Sequence, residues 1–254
     1  MNGVSFRVKD DLEPRMRAGE CFHALRVPPN AFTVVRVDGR SFSRLTERLA
    51  SKPFDAQFHE WMVRAASGLL ETLQGLYAFT ESDEISVLLP RDSDLFDREV
   101  EKLVSIAAAR ASAIVSLACG EPVELDARIW VGARDEDVVD YFAWRQADGA
   151  RCALHGWCYW TLRKAGMSAA AATARLQGVS VGAKNELLFA HGINFNEVPA
   201  WQRRGSAVYW ESYEKTGFNP ISRSSVVAVR RRIAVDRDLP MKEAYAAFVR
   251  ARLA

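Results

Sequence analysis

Between residues 33 and 131 the hydrophobic positions switch back and forth between strand-like and helix-like spacing. The β-branched run Thr33 to Val37 reads as a short strand. Phe54, Phe58, Trp61, Met62, Ala65, Leu69 and Leu73 recur every three or four residues, which predicts an amphipathic helix over 54–75 with Gly75 as its C-cap. Leu76 to Thr80 reads as a second strand and Glu81-Ser82-Asp83-Glu84 as a tight turn. Ile85, Val87 and Leu89 alternate in a third strand that Pro90 stops. Val100, Leu103, Val104, Ala107, Ala111, Ile114 and Val115 share one side of a helix predicted over 97–118. Leu125, Ala127, Ile129 and Val131 then alternate with Asp126, Arg128 and Trp130 in a fourth strand.

Strand, helix, strand, strand, helix, strand is the order of the ferredoxin-like split βαβ, so the expected fold class is α+β. Residues 135–190 read as helical, with Asp135 and Ser168 as N-caps and Gly166 and Gly178 as helix ends. A hairpin is expected near 225–235 and a last helix from Met241. The expected division is 1–132, an N-terminal extension and the ferredoxin-like unit, and 133–254, a helical and mixed part packed on it as one unit. No internal repeat or low-complexity segment interrupts this pattern.

Composition narrows the picture only a little. A net charge of +2 on 254 residues means that any nucleic-acid site has to be a local basic patch. Cys21, Cys119, Cys152 and Cys158 are scattered without metal-ligand spacing, which argues against zinc and suits reduced thiols in a cytoplasmic protein. Lys9, Asp10, Asp11 and Glu13 make the N-terminus too polar for a signal peptide, and no apolar run approaches 18 residues, so no membrane span is expected.

The candidate chemistry sits at strand ends. A right-handed crossover brings the turn between strands two and three to the end of the sheet where strand one finishes, so Asp38 and the 81–84 turn should meet. Two carboxylates about 4 Å apart repel by roughly 4 kcal/mol at an effective dielectric near 20, and a cation relieves this. Oxygen-only ligands favour Mg²⁺, which keeps waters and borrows substrate phosphates. Gly39 lets backbone approach a metal or phosphate, and the amides of Arg40, Ser41, Phe42 and Ser43 could form an anion-binding nest. Each motif alone reads better as a plain turn; their alignment favours the metal site.

These residues, with Ser82-Asp83-Glu84, Trp144-Arg145-Gln146-Ala147-Asp148, Leu176-Gln177-Gly178, Lys184-Asn185-Glu186, Ile193-Asn194-Phe195-Asn196 and Arg204-Gly205-Ser206 in order, make the chain resemble the tRNA(His) guanylyltransferase family of 3′–5′ nucleotide polymerases. The resemblance implies a polymerase-type palm with two or more Mg²⁺ ions held by Asp38, the Gly39 carbonyl and Asp83, and with Glu84 in the catalytic set. It implies a nucleotide site of residues 38–43, Lys52, Ser82, Asp83 and Lys102, taking GTP and also ATP or other triphosphates. Lys52 reads equally as a loop charge and Lys102 as a solvated helix face. Transfer would be to the 5′ end of tRNA or a related RNA, in a homotetramer.

The RNA side departs from the family. Ala150-Arg151-Cys152-Ala153-Leu154-His155-Gly156 stands where tRNA(His)-adding members carry His-Ile-Asn-Asn-Leu-Tyr-Asn, and Ala183 replaces an acidic residue. Lys184, Asn185, Trp201, Arg203, Arg204 and Trp210 intersperse basic and aromatic groups suited to RNA, whereas Arg230-Arg231-Arg232 reads better as the solvent side of a hairpin. Two rivals remain at this level: a nucleotidyl cyclase, which has no use for the 184–206 blocks, and a non-catalytic RNA- or nucleotide-binding relative, which has no use for Asp38 and Asp83.

Overall fold

Strands β1 (Phe32–Gly39), β2 (Tyr77–Glu81), β3 (Glu84–Leu88), β4 (Leu125–Gly132), β5 (Ser206–Asn219) and β6 (Ser224–Asp236) build one sheet in a computed structural model that describes residues 12–253, apart from 220 and 222. Lys9, Asp10 and Asp11 lie outside the described residues. The strand order is β4-β1-β3-β2-β5-β6, with neighbours antiparallel. Its first four positions are the order a ferredoxin-like unit requires, because β3 returns between the parallel pair β1 and β2.

The sheet is covered on both faces, which explains why Thr33 to Val37 does not alternate. Val35, Val37, Ile85 and Val87 pack under helices α3 (Ala56–Thr72) and α4 (Val100–Cys119), with Met62, Leu69 and Leu103. Val34, Tyr77, Phe79 and Leu88 face the other way, against Val138 and Phe142 of α5 (Asp135–Lys164) and Tyr245 and Val249 of the last helix, Lys242–Arg250. By length and average composition α4 is apolar enough to cross a membrane, although Glu101, Lys102 and Arg110 interrupt its apolar run. Its Leu103, Ala107, Ala111 and Val115 are instead buried against the sheet.

At 30 residues α5 is about 45 Å long, and only its first half lies on the sheet. The second half carries a smaller core of Leu154, Cys158 and Leu162 with Ala172, Leu176 and Leu188 from α6 (Ala169–Leu176) and α7 (Val181–Ala190). Ser168 caps α6 through a bond from the Ala171 amide. Arg134, not Asp135, is the N-cap of α5, because Asp137 reaches back to accept the amides of Ala133 and Arg134.

Three further expectations are corrected. Residues 42–49 form a helix, α2 (Phe42–Leu49), too short for periodicity to reveal, so 38–43 is a strand end and a helix start. Gln74, not Gly75, takes the left-handed conformation after α3; Gly75 is needed because a Cβ there would lie 2.6 Å from Val87 Cγ1. The hairpin spans β5 and β6 entirely, and the stretch 225–235 is one strand of it. Only Ser206–Tyr209 pair with β2, so the rest of the ribbon leaves the sheet as an arm. Its alternation puts Val227 and Val229, 61% and 70% exposed, on one face and Arg230 and Arg232 on the other.

Candidate functional site

The end of β1 is tied to the β2–β3 turn by one bond, from the Gly39 amide to the Asp83 carbonyl, 3.1 Å. Asp38 lies opposite Glu84 on β3, and Glu84 lies opposite Glu81 on β2. Directly opposed residues of an antiparallel pair share a face, so these three carboxylates point to the side that α5 crosses. The turn holds Ser82 in the left-handed region at φ 51, which carries Asp83 in beside them. Burial and then the Asp38 charge push the Asp83 carboxyl up to about 6. Among the described residues no lysine, arginine or histidine forms an ion pair with Asp83. A buried carboxylate crowded by another and lacking a cationic side chain fits a divalent cation held through Asp38, Asp83 and carbonyl oxygen.

Glu84 is not in that position. Arg145 of α5 binds it with two hydrogen bonds of 2.7 and 2.6 Å, and Arg36 approaches at 3.6 Å. Arg145 also reaches Asp148 at 3.3 Å, and the Arg151 bond to Asp148 holds that carboxyl below its usual range. Glu84 therefore anchors α5 to the palm edge. Glu84 nonetheless lines the same cavity as Asp38 and Asp83.

The predicted phosphate loop is placed at the site but is put together differently. The Arg40 amide is spent on the Glu124 carbonyl at 2.9 Å, and the Arg40 side chain on the Glu124 carboxylate at 2.7 Å. What remains for an anion are the amides of Ser41, Phe42 and Ser43 at the start of α2, which have no acceptor within the helix. The Phe42 side chain is core, 2% exposed. Its ring also explains Gly39: a Cβ there would lie 2.4 Å from Phe42 Cγ, so the glycine serves close packing of β1 on α2.

Two cavities meet at Glu81 and Ser82. One, of ≈ 180 Å³, is walled by Phe54, Phe58, His59, Trp160 and Trp201, with Lys52 at its rim. Lys52 lies over the Trp160 ring at 5.6 Å, and burial lowers its pKa, opposed by Asp83 among its acidic neighbours. The other, of ≈ 460 Å³, holds Asp38, Asp83, Glu84, Arg36, Arg145 and Trp144. Glu81, Ser82 and Cys152 line both. Lys102 is not brought to the site. It pairs with Glu99 at 2.7 Å in the first turn of α4, roughly 25 Å along that helix from the end that returns to Gly39.

The predicted RNA residues do not form one patch. Arg203 is bound to the Val198 carbonyl and Arg204 to the Leu239 carbonyl, and the Gln146 amide holds the Arg204 carbonyl. Lys184 sits where its carbonyl accepts from Cys158, roughly 18 Å further along α5. Asn185 donates to the Val181 carbonyl. Trp201 stacks on His59 in the aromatic cavity at 4.3 Å, and Trp210 packs on the core with its Nε1 bound to the Gly75 carbonyl. Sequence reasoning missed Glu81, Arg145, Phe54 and Trp160 as site residues. The signal for Arg145 was present in the Trp-Arg-Gln-Ala-Asp block; nothing in the sequence brought the cavity aromatics together, because they come from α3 and the loop before it, from α5 and from the helix Ala200–Arg204.

Comparison with known proteins matches this architecture. The family model for tRNAHis guanylyltransferase matches residues 13–136 and that for the Thg1 C-terminal domain residues 136–243. A probable tRNA(His) guanylyltransferase of Dictyostelium discoideum is 36% identical over 207 residues, 74% of this chain and 78% of its own length. The tRNA(His) guanylyltransferase of Neurospora crassa is 32% identical over 201 residues, 73% of this chain and 68% of its own. Among solved structures, a bacterial Thg1-like protein in complex with GTP shares the fold with TM-score 0.75 at 24% identity, over 96% of this chain and 99% of its own. The Saccharomyces cerevisiae enzyme gives TM-score 0.67 at 26% identity, over 72% and 87%. This chain belongs to the tRNA(His) guanylyltransferase family.

Proposed function

We propose that the protein is a Mg²⁺-dependent nucleotidyltransferase that adds nucleotides, GMP from GTP, to the 5′ end of tRNA or a related RNA in the 3′–5′ direction. The observation that carries this is Asp83 buried beside Asp38, without a cationic side chain of its own, in the carboxylate cavity next to the aromatic one. Asp38, Asp83 and the Gly39 carbonyl would hold the metal. Bound there, Mg²⁺ lowers the pKa of an attacking hydroxyl and neutralises charge on the leaving group. Ser82, Lys52 and the amides of Ser41 to Ser43 bind phosphate oxygens, and the aromatic cavity takes a nucleobase. The 3′-oxygen of the incoming nucleotide bonds to the 5′-terminal α-phosphorus of the RNA. The bond to the activating pyrophosphate or AMP breaks, and the hydroxyl proton passes to solvent. Arg145 keeps Glu84 from competing for the metal.

Lys184 and Asn185 on α7 remain our candidates for RNA contact, and ATP a candidate activator. The exposed Val227 and Val229 of the arm favour self-association, so we further propose a homo-oligomer in the cytoplasm, with the palm ending near residue 132. Labelled GTP incubated with 5′-truncated tRNA, as 5′-monophosphate and as 5′-triphosphate, tests the reaction. Label should enter RNA with Mg²⁺ and not with EDTA. A cyclic product formed without RNA would replace this reading with a cyclase.

A further inference from the structure

Glu81 is the last residue of β2 and only 8% exposed, yet its Oε2 has no hydrogen-bond partner. A buried polar group left unpaired costs about 1–3 kcal/mol, so such exceptions call for a reason. The carboxyl fits where it does because α5 presents Gly149 to it: a Cβ at that position would lie 1.3 Å from Oε2. Gly149, Cys152, Ala153 and Gly156 recur at helical spacing and line the two cavities, so α5 keeps this side free of bulk.

The position of Glu81 in the site is specific. It lines both the aromatic cavity and the carboxylate cavity and stands directly before Ser82 and Asp83. A nucleotide with its base among Phe54, Trp160 and Trp201 and its phosphates at Ser82 and Asp83 has its sugar at this partition. Base and phosphates each have their own partners there. The sugar hydroxyls have Glu81.

We propose that Glu81 is a specificity residue that hydrogen-bonds the ribose 2′,3′-diol of the bound nucleoside triphosphate through the unpaired Oε2. The inference rests on the nucleotidyltransferase reading above and adds to it a selection for ribonucleotides. Oε2 lies against Gly149, so bonding the sugar requires the carboxyl to rotate toward the two cavities that Glu81 lines. A site built to bond a hydroxyl discriminates strongly against an analogue lacking it, because its own polar group is then left unpaired.

Calorimetric titration of the whole chain with GTP, 2′-deoxy-GTP and 3′-deoxy-GTP in Mg²⁺ tests this without any variant. The wild-type protein should bind GTP about ten-fold or more tightly than at least one deoxy analogue. In Glu81→Leu that ratio should fall to within about two-fold, and in Glu81→Gln, which preserves the shape, it should fall at least three-fold. Wild-type protein that binds all three equally overturns the inference while leaving the nucleotidyltransferase reading intact. So does discrimination that persists unchanged in Glu81→Gln. Absence of any GTP binding overturns the reading itself and the inference with it.

Discussion

Arg145 on α5 holds Glu84 on β3 in a two-pronged grip, 2.7 Å from Nε to Oε1 and 2.6 Å from Nη2 to Oε2. The side chains are 10% and 14% exposed, so the pair is largely removed from water. This bond joins the helix that walls both cavities to the strand next to Asp38. Removing one partner of such a pair leaves an uncompensated buried charge. Arg145→Met or Glu84→Leu alone should therefore destabilise the protein by about 3 kcal/mol, and the two together should recover most of it. Urea unfolding of the two single variants and the double variant gives the coupling; additive losses would mean the grip is incidental.

Asp83 should behave as a group whose charge opposes folding. Its folded pKa, about 6, lies above the ordinary carboxylate value of 3.8, so the folded state holds the proton more tightly. Stability from this group is present below the lower value and is lost as pH rises through the upper one. Asp83→Asn should stabilise the metal-free protein at pH 7 by on the order of 1–3 kcal/mol while abolishing nucleotide addition. Mg²⁺ should raise the melting temperature of wild type and leave that of Asp83→Asn unchanged. Equal Mg²⁺ responses would remove Asp83 from the ligand set.

Gly149→Ala should show a reversal of sign. With Glu81 in place the added methyl collides with the carboxyl and should cost about 1–3 kcal/mol. In a Glu81→Ala background the collision is gone and alanine is the better helix former, by up to about 1 kcal/mol. Thermal melts of the four proteins distinguish this from a general intolerance of α5 to substitution.

His59 contributes an acid-sensitive element away from the carboxylates. It is buried between Trp201 and the Ser206 hydroxyl, 3.1 Å away, and burial lowers its pKa from 6.5 to about 4. The folded state binds the proton less readily than the unfolded chain, so stability falls as pH drops from about 6.5 toward 4. On the order of 2–3 kcal/mol is lost across that window. In His59→Gln the stability difference between pH 7 and pH 5 should shrink by about 2 kcal/mol, read from denaturant midpoints.

The sequence by itself determined the palm. Patterns of period two and three to four gave each of its strands and its two long helices, because every one buries a face or both faces and so has to be written in apolar residues. It also determined that Asp38 meets Asp83, since handedness and strand order alone bring a strand end and a turn to one edge. The short helix α2 escaped, being two turns long with only Phe42 buried.

Only the tertiary structure decided what each polar group is free to do. Glu84 and Asp83 are neighbours in one turn, yet the first is bound by an arginine sixty-one positions away and the second is left without one. Arg203 and Arg204 looked like RNA contacts, and each donates to a backbone carbonyl, while Glu81, read in the sequence only as part of a turn, has an unpaired Oε2. Hydrogen-bond partners and burial are fixed by which elements pack together. That depends on contacts across α5, which no local pattern of residues records.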